Sequence, residues 1–568
     1  MSMKFRKKII LSIIISMLSS TVFSQITSNP FCANSPLIHN VELGFGSFRY
    51  HVPWFKFDSA GVYNFTKTDG LANLYGASGI EPVIIFKCTP RIPDSSAFAD
   101  TSGWLPCEQL LWDRLHDPNA PSAETSWFPT DTTAWKNFLT AFVERYNGNG
   151  IQDYPNLVHP FRVYQLEVEM TRIWCTNNNF TYPNDYVRYI NMSYRTIKQA
   201  DPNAIVKMAG WGSIDLHMFY LNFIDTDSLP ISQNLYVRRP QLDTSQTYQN
   251  ALNNWMYIFN NAQYDVFDAH CYGLAEYFPG RADGLRTLFD PTQTKPIWAL
   301  EGGGPYRNKA EVYNMANTTG YMSPQLIIEN AAYVIRYYVG GMGSGFTRLA
   351  WNVLPEYDPW GQAFGDLDLL SINYEKKPSY WAYKGLASFI SDYTHAEPIP
   401  NGWYWHNPDI VGYRVTTPTR NMVFIWNLNT PADIHLKGLE KQHIYPLVMG
   451  DSIWTEVTLS SDSIYTFTTQ RVPLIFEGML QSTGLQNHPI QTMQIYPNPA
   501  IHQVTVEYAG TDDLTVDIFD LRGKLTGIYY LQAGISTINI SSLSAGVYIL
   551  KAYSNGEIKT MKLVKTED

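Results

Sequence analysis

Between residues 37 and 395, short runs of β-branched and aromatic residues alternate with longer segments of helical period. GSFRYHV, PVIIF, FRVYQLEVE, AIVKMAGWG, YDVFDAHCY, KPIWALE and GFTRLAWN read as strands, while TAWKNFLTAFVERYNG and YVRYINMSYRTIKQA read as amphipathic helices. Strands that alternate with helices pair in parallel through crossover connections. Seven clear strands, with an eighth around Leu37 to Leu43, predict a (β/α)8 TIM barrel over 37–395. A doubly wound sheet is the competing architecture. However, no glycine-rich phosphate loop follows the first strand, and Gly302-Gly303-Gly304 does not form one either.

The chain has 568 residues, too many for one core. From 400 to 478 the helical period disappears, and IVGYRVTT, MVFIWNL, SIYTFTT and VPLIFEG predict a small antiparallel β-sandwich. A polar linker over 482–490 leads to a C-terminal all-β block over 491–567. At the other end, Lys4, Arg6, Lys7 and Lys8 precede the apolar run Ile9 to Met17. Val22-Phe23-Ser24 then offers a cleavage site before Gln25, so residues 1–24 read as a signal peptide. The apolar run is short for a membrane span, and no later stretch reaches spanning length. The expected product is a multidomain exported protein without a transmembrane segment.

A formal net charge of -10 gives no basic field for nucleic acid and argues against an anionic membrane partner. The 16 Trp and 38 Tyr suit binding of flat, hydroxylated faces, although large aromatic cores account for most of them. Five cysteines, Cys32, Cys88, Cys107, Cys175 and Cys271, remain after the leader. In an oxidising compartment Cys88 with Cys107 and Cys175 with Cys271 are plausible disulfides. The spacings match no zinc pattern, so no metal and no cofactor is expected.

YQLEVEM, residues 164–170, places Glu167 and Glu169 at alternate positions of an apolar strand. Buried carboxylates require compensation. Functional residues of a barrel gather at the C-terminal strand ends, which here carry Arg49, Glu169, His270, Tyr272, Glu301 and Trp351. Two carboxylates on different strands suit acid–base work on an acetal, one protonating the leaving oxygen and the other attacking the anomeric carbon. An inward Arg49 needs an acidic partner. Trp104, Trp112, Trp127, Trp174 and Trp360 fall in long loops, and the segment between Cys88 and Trp135 is long enough to shape a cleft. No Gly-x-Ser-x-Gly elbow supports a serine esterase, Gly343-Ser344-Gly345 being only a superficial likeness.

In their order along the chain these motifs resemble the clan A glycoside hydrolases. YQLEVEM is similar to that group's Gln-Ile-Glu-Asn-Glu strand and implies Glu169 as acid/base, with Glu167 a polar neighbour. KPIWALEGGGPY is similar to the seventh-strand motif and implies Glu301 as nucleophile. FRYHVPW resembles the second-strand signature, with Arg49 on the nucleophile, and DAHCYG the His-x-Tyr of strand six. There Tyr272 would sit next to Glu301, His270 would line the sugar site, and Trp351 would be the stacking floor. The family's Asn before the acid/base is Val168 here.

The last block resembles the type IX secretion C-terminal sorting domain, type A. The resemblance rests on Tyr496-Pro497-Asn498-Pro499, the Asp520 to Lys524 turn, Ala545-Gly546-Val547-Tyr548 and the Lys-rich closing strand. Together the two resemblances imply a secreted or cell-surface retaining glycoside hydrolase. It would cut β-linked bonds of an extracellular polysaccharide or oligosaccharide and be handled by the type IX machinery. The alternative, favoured by Val168, is a non-catalytic carbohydrate-binding or adhesive surface protein that retains the barrel.

Overall fold

A computed structural model covers the chain. It describes residues 29–33, 42–59, 61–88, 129, 131–169, 183–211, 228–232, 235–238, 246–272, 275–290, 292, 294–303, 324–351, 369–370, 375–400, 404–405, 407, 409–447, 453–481, 493–509, 513–520, 525–554 and 557–567. The leader, the proposed linker and the five loop tryptophans lie outside the described residues.

Eight parallel strands form one sheet: β1 (Phe31–Ala33), β2 (Ser47–Pro53), β3 (Glu81–Lys87), β4 (Val163–Glu169), β5 (Ile205–Gly210), β6 (Phe267–Asp268), β7 (Ile297–Ala299) and β8 (Phe346–Trp351). β1 pairs with both β8 and β2, and parallel bridges Lys207↔Val266 and Trp211↔Ala269 join the remaining edges. That closure removes the open edge of a doubly wound sheet. The seven strands read from sequence are present. The eighth, β1, lies ahead of the 37–43 segment expected to supply it, while Glu42 and Leu43 are helical. Residues 34–41 lie outside the described residues.

Helices follow the strands: α1 (Thr66–Gly76), α2 (Thr132–Tyr146), α3 (Asn184–Ala200), α4 (Gln246–Asn261), α5 (Phe278–Phe289), α6 (Pro324–Gly343) and α7 (Pro378–Ile390). α2 starts where the Asp131 carboxylate accepts the N–H groups of Thr133 and Ala134, a side-chain cap. It buries Trp135, Phe138, Leu139, Phe142, Val143 and Tyr146, the three-and-four spacing of one helix face. Inside the barrel, Cys32, Val83, Val163, Ile205, Val266 and Ala350 share one buried cluster, a packed core and not a pore. At the N-terminal ends of the strands Arg348 donates to Glu81 at 2.9 Å and lies over the Trp298 ring at 4.4 Å.

The chain divides into two compact units. One comprises Met1–Pro398, Tyr413–Phe424 and His443–Glu456; the other comprises Ile399–Gly412, Ile425–Gln442 and Val457–Asp568. Strand-rich structure occupies the rest of the described chain, with antiparallel pairings His395–Pro398 to Tyr413–Thr416 and Ala432–Leu436 to Tyr465–Thr469. The final block has a three-stranded sheet (Met493–Tyr496, Gln503–Tyr508, Gly534–Asn539) and a four-stranded one (Leu514–Asp520, Leu525–Leu531, Gly546–Ser554, Glu557–Lys565). Their alternate residues, among them Val504, Val506, Val516, Ile518, Leu550 and Leu563, share one core. The Asn498 side chain donates to the Lys562 carbonyl and accepts the Val564 N–H, tying the Tyr-Pro-Asn-Pro turn to the closing strand. The turn residues 521–524 lie outside the described residues.

Candidate active site at the C-terminal ends of the strands

Arg49 projects into the barrel from β2 and is buried. One of its nitrogens, Nη1, donates to the Leu300 carbonyl at 2.9 Å and to Glu301 Oε2 at 3.0 Å. Burial works against its charge, but Glu301 and Asp268 outweigh burial and hold the guanidinium protonated. Glu301 lies two residues past the end of β7, and its side chain keeps 19% exposure, so one carboxylate both meets solvent and touches a buried cation. His270 Nδ1 lies 3.7 Å from Glu301 Oε2.

The backbone around Glu301 leaves no room for added atoms. Its carbonyl accepts the Cys271 N–H at 2.8 Å, and Cys271–Tyr272 pair in parallel with Gly302–Gly303. A Cβ on Gly302 would meet the Tyr337 hydroxyl at 2.0 Å and the Cys271 carbonyl at 2.6 Å, so glycine is required there. Gly210, at the end of β5, leaves the space that the His270 ring fills; a Cβ there would lie 1.9 Å from Nε2.

Three charged or titratable groups that sequence reading did not single out stand beside these. Lys207 Nζ donates to Asp268 Oδ2 at 2.6 Å, both side chains fully shielded. Burial pulls the Lys207 ammonium down to about 8, although Asp268 opposes it. Burial also raises Asp268, but Lys207, His270 and Arg49 together hold it below the usual carboxylate range. His51, two residues past Arg49 on the same strand face, is kept neutral down to about 3 by burial, then by Lys87 and Arg49. The available signals were a lone lysine in the apolar run AIVKMAG and the alternate spacing of Asp268 and His270.

The two glutamates of β4 depart from simple alternation. Pairing with β5 shifts register between Leu166 and Glu169, and Glu167 adopts φ 68, the left-handed region. The Glu167 carboxylate is buried and accepts the Cys88 N–H at 2.7 Å and the Tyr189 hydroxyl at 3.4 Å. Tyr189 belongs to α3, so this carboxylate ties the end of β3, β4 and a helix together. The backbone of Glu169 ends β4 opposite Gly210, but its side chain, like that of Tyr272, lies outside the described residues.

Trp351 ends β8 at 0% exposure, edge-on to Tyr337 (5.4 Å) and near Tyr333 (6.4 Å), both on α6. With no exposed face it is core, and the stacking-floor expectation is corrected: its β8 parity directs it to the helix layer, opposite Ala350. Cys32, Cys88 and Cys271 are buried thiols, which excludes both expected disulfides; Cys107 and Cys175 lie outside the described residues. Among the described residues no three His, Cys, Asp or Glu are grouped to hold a metal ion, and no helix is long and apolar enough to cross a membrane.

Residues 494–566 match the family described as the secretion system C-terminal sorting domain. A domain of this kind implies the type IX secretion machinery, delivering to the cell surface or the extracellular space. Among curated proteins no sequence matches the chain. It is similar in structure to a family 39 glycoside hydrolase from the gut symbiont Bacteroides cellulosilyticus WH2, at 15% identity over 80% of this chain and 82% of that one, with a TM-score of 0.49. It is also similar to a glucosidase from Croceicoccus marinus (10% identity, 94% and 92% covered, TM-score 0.43) and to a xylanase from Cellvibrio japonicus (11%, 63% and 66%, 0.37).

Proposed function

We propose that the barrel is a retaining glycoside hydrolase acting outside the cell on β-linked glycosidic bonds. The observation that carries this reading is the Glu301 carboxylate, partly open to solvent, bound by buried Arg49 and faced by His270 at the C-terminal strand ends. Glu301 attacks the anomeric carbon to form a glycosyl-enzyme, and Arg49 keeps it ionised and oriented for that attack. Glu169 protonates the departing oxygen and then takes a proton from water; a carboxyl separation of roughly 5–5.5 Å is what double displacement requires. Tyr272 and His270 orient the nucleophile and the sugar. The leader over residues 1–24 and the sorting module over 491–567 supply the export route.

The test is hydrolysis of a panel of aryl β-glycosides and plant and microbial glycans by the protein lacking its leader. Turnover by the wild type, abolished in Glu301→Ala with sugar binding retained, is the expected result. Val168, standing where the resembled family has the Asn that holds the sugar 2-hydroxyl, favours a second reading, a carbohydrate-binding surface protein. Binding with no turnover across the panel establishes that second reading and overturns the first.

A further inference from the structure

Below Glu301 the barrel buries an ion pair whose cost calls for an account. Lys207 and Asp268 are 2.6 Å apart and fully shielded, and such pairs seldom stabilise a fold as well as apolar packing would. Asp268 is joined to Glu301 by two routes. Its Oδ1 accepts the Leu300 N–H at 2.8 Å, while the Leu300 carbonyl accepts the Arg49 nitrogen that also binds Glu301. The second route is the His270 ring, with Nε2 3.8 Å from Asp268 Oδ2 and Nδ1 3.7 Å from Glu301 Oε2. Leu300, the residue before the nucleophile, is therefore held at both of its peptides, by an anion at its N–H and by a cation at its carbonyl.

Among the described residues, the titratable and charged groups around this assembly are Arg49 and His51 from β2, Lys207 from β5, Asp268 from β6 and His270 just past it, Cys32 from β1 and Lys87 at the end of β3. The side chains of Glu169 and Tyr272 lie outside the described residues. Within the connected set, two buried cations, Arg49 and Lys207, stand against one buried anion, Asp268, and the Glu301 carboxylate completes the balance. We propose that Lys207 and Asp268 are positioning residues that hold Glu301 ionised and in place, acting through the Leu300 peptide and the shared charge balance. The inference rests on the hydrolase reading and deepens it.

Opposite charge changes must then act in opposite directions. Lys207→Met leaves two anions against Arg49, so Glu301 keeps its proton to higher pH. Asp268→Asn leaves two cations, so Glu301 loses its proton at lower pH. The experiment is kcat/KM against pH for the wild type, both single variants and the double variant, with melting temperatures as a check on folding. The acid limb reports the carboxylate that must be ionised. It is expected to move up by roughly one unit in Lys207→Met, down in Asp268→Asn, and back to the wild-type position in the double variant. A merely structural pair would lower the melting temperature while both limbs stay put or move together, and either outcome overturns the proposal. If either single variant does not fold, Lys207→Gln or Asp268→Ser is read in its place: the same direction of shift supports the pair's role, and an unmoved limb overturns it. A wild type without turnover overturns the hydrolase reading, and the pair's role with it; turnover with unmoved limbs overturns only the pair's role.

Discussion

The barrel and the C-terminal module bury charge differently. Around Glu301 the barrel shields Arg49, Lys207 and Asp268, with Lys207 bonded to Asp268, Arg49 to the Leu300 carbonyl and to Glu301, and Asp268 to the Leu300 N–H. The module's shared core is apolar, and its buried carboxyl, Asp517, lies opposite Lys551 with one oxygen lacking a hydrogen-bond donor. Burial raises Asp517 to about 6, more than Tyr553 and Lys551 lower it. Paired charges hold their ionised state inside a protein, whereas a carboxyl with too few donors keeps its proton. The barrel thus carries ionic structure at its strand ends, where chemistry is proposed, and the module carries the apolar alternation of a self-contained fold.

The strongest challenge to this contrast is Arg49→Ala. Removing Arg49 takes the buried cation from Glu301 and from the Leu300 carbonyl, so the expected loss is about 3–5 kcal/mol of barrel stability together with loss of turnover. Denaturant unfolding and kcat/KM measure the two losses, and an unchanged midpoint would break the contrast. Leu550→Ala tests the other side: an emptied apolar site in the module should cost roughly 2–4 kcal/mol. Hydrogen-exchange protection of residues 514–565 in the full chain should fall while turnover stays at the wild-type rate.

The smallest effect is in the pH response, which the contrast predicts to have opposite signs. Unfolded His51 takes up a proton near 6.5, but the folded imidazole refuses it down to about 3, so acidification through that window weakens the barrel. Unfolded Asp517 loses its proton near 3.9 and folded Asp517 near 6, so its contribution is full below that lower value and lost as pH rises through about 6. On lowering the pH from 7 to 4, protection factors should therefore fall for β2 and rise for the strand Leu514–Asp520. Asp517→Asn should remove the rise.

Much of the frame was legible in the chain. The short apolar, β-branched run PVIIF and the three-and-four spacing of Trp135, Phe138 and Phe142 depend on near neighbours, so strands and helices could be read directly. An inward Arg49 demands an acid, and the family resemblance pointed to Glu301 as that acid. Glu167 could be read as a polar neighbour of Glu169, but its bonds to Cys88 and Tyr189 could not, because alternation assumes an unbroken strand and the shifted register with φ 68 breaks it. Trp351 was misread because a ring at a strand end can face either layer, and parity with Ala350 is meaningful only once the sheet has closed.

Local order, the alternation of elements, and the residue types at strand ends were set by the sequence alone, since each depends on short-range geometry and side-chain chemistry. The tertiary structure decided that a three-residue strand at Phe31–Ala33 completes the ring. It also decided that Lys207 meets Asp268 across 61 positions, and that Arg49 reaches Leu300 across 251. Such contacts arise from the closure and stagger of eight strands, a property of the whole sheet that no window of residues contains.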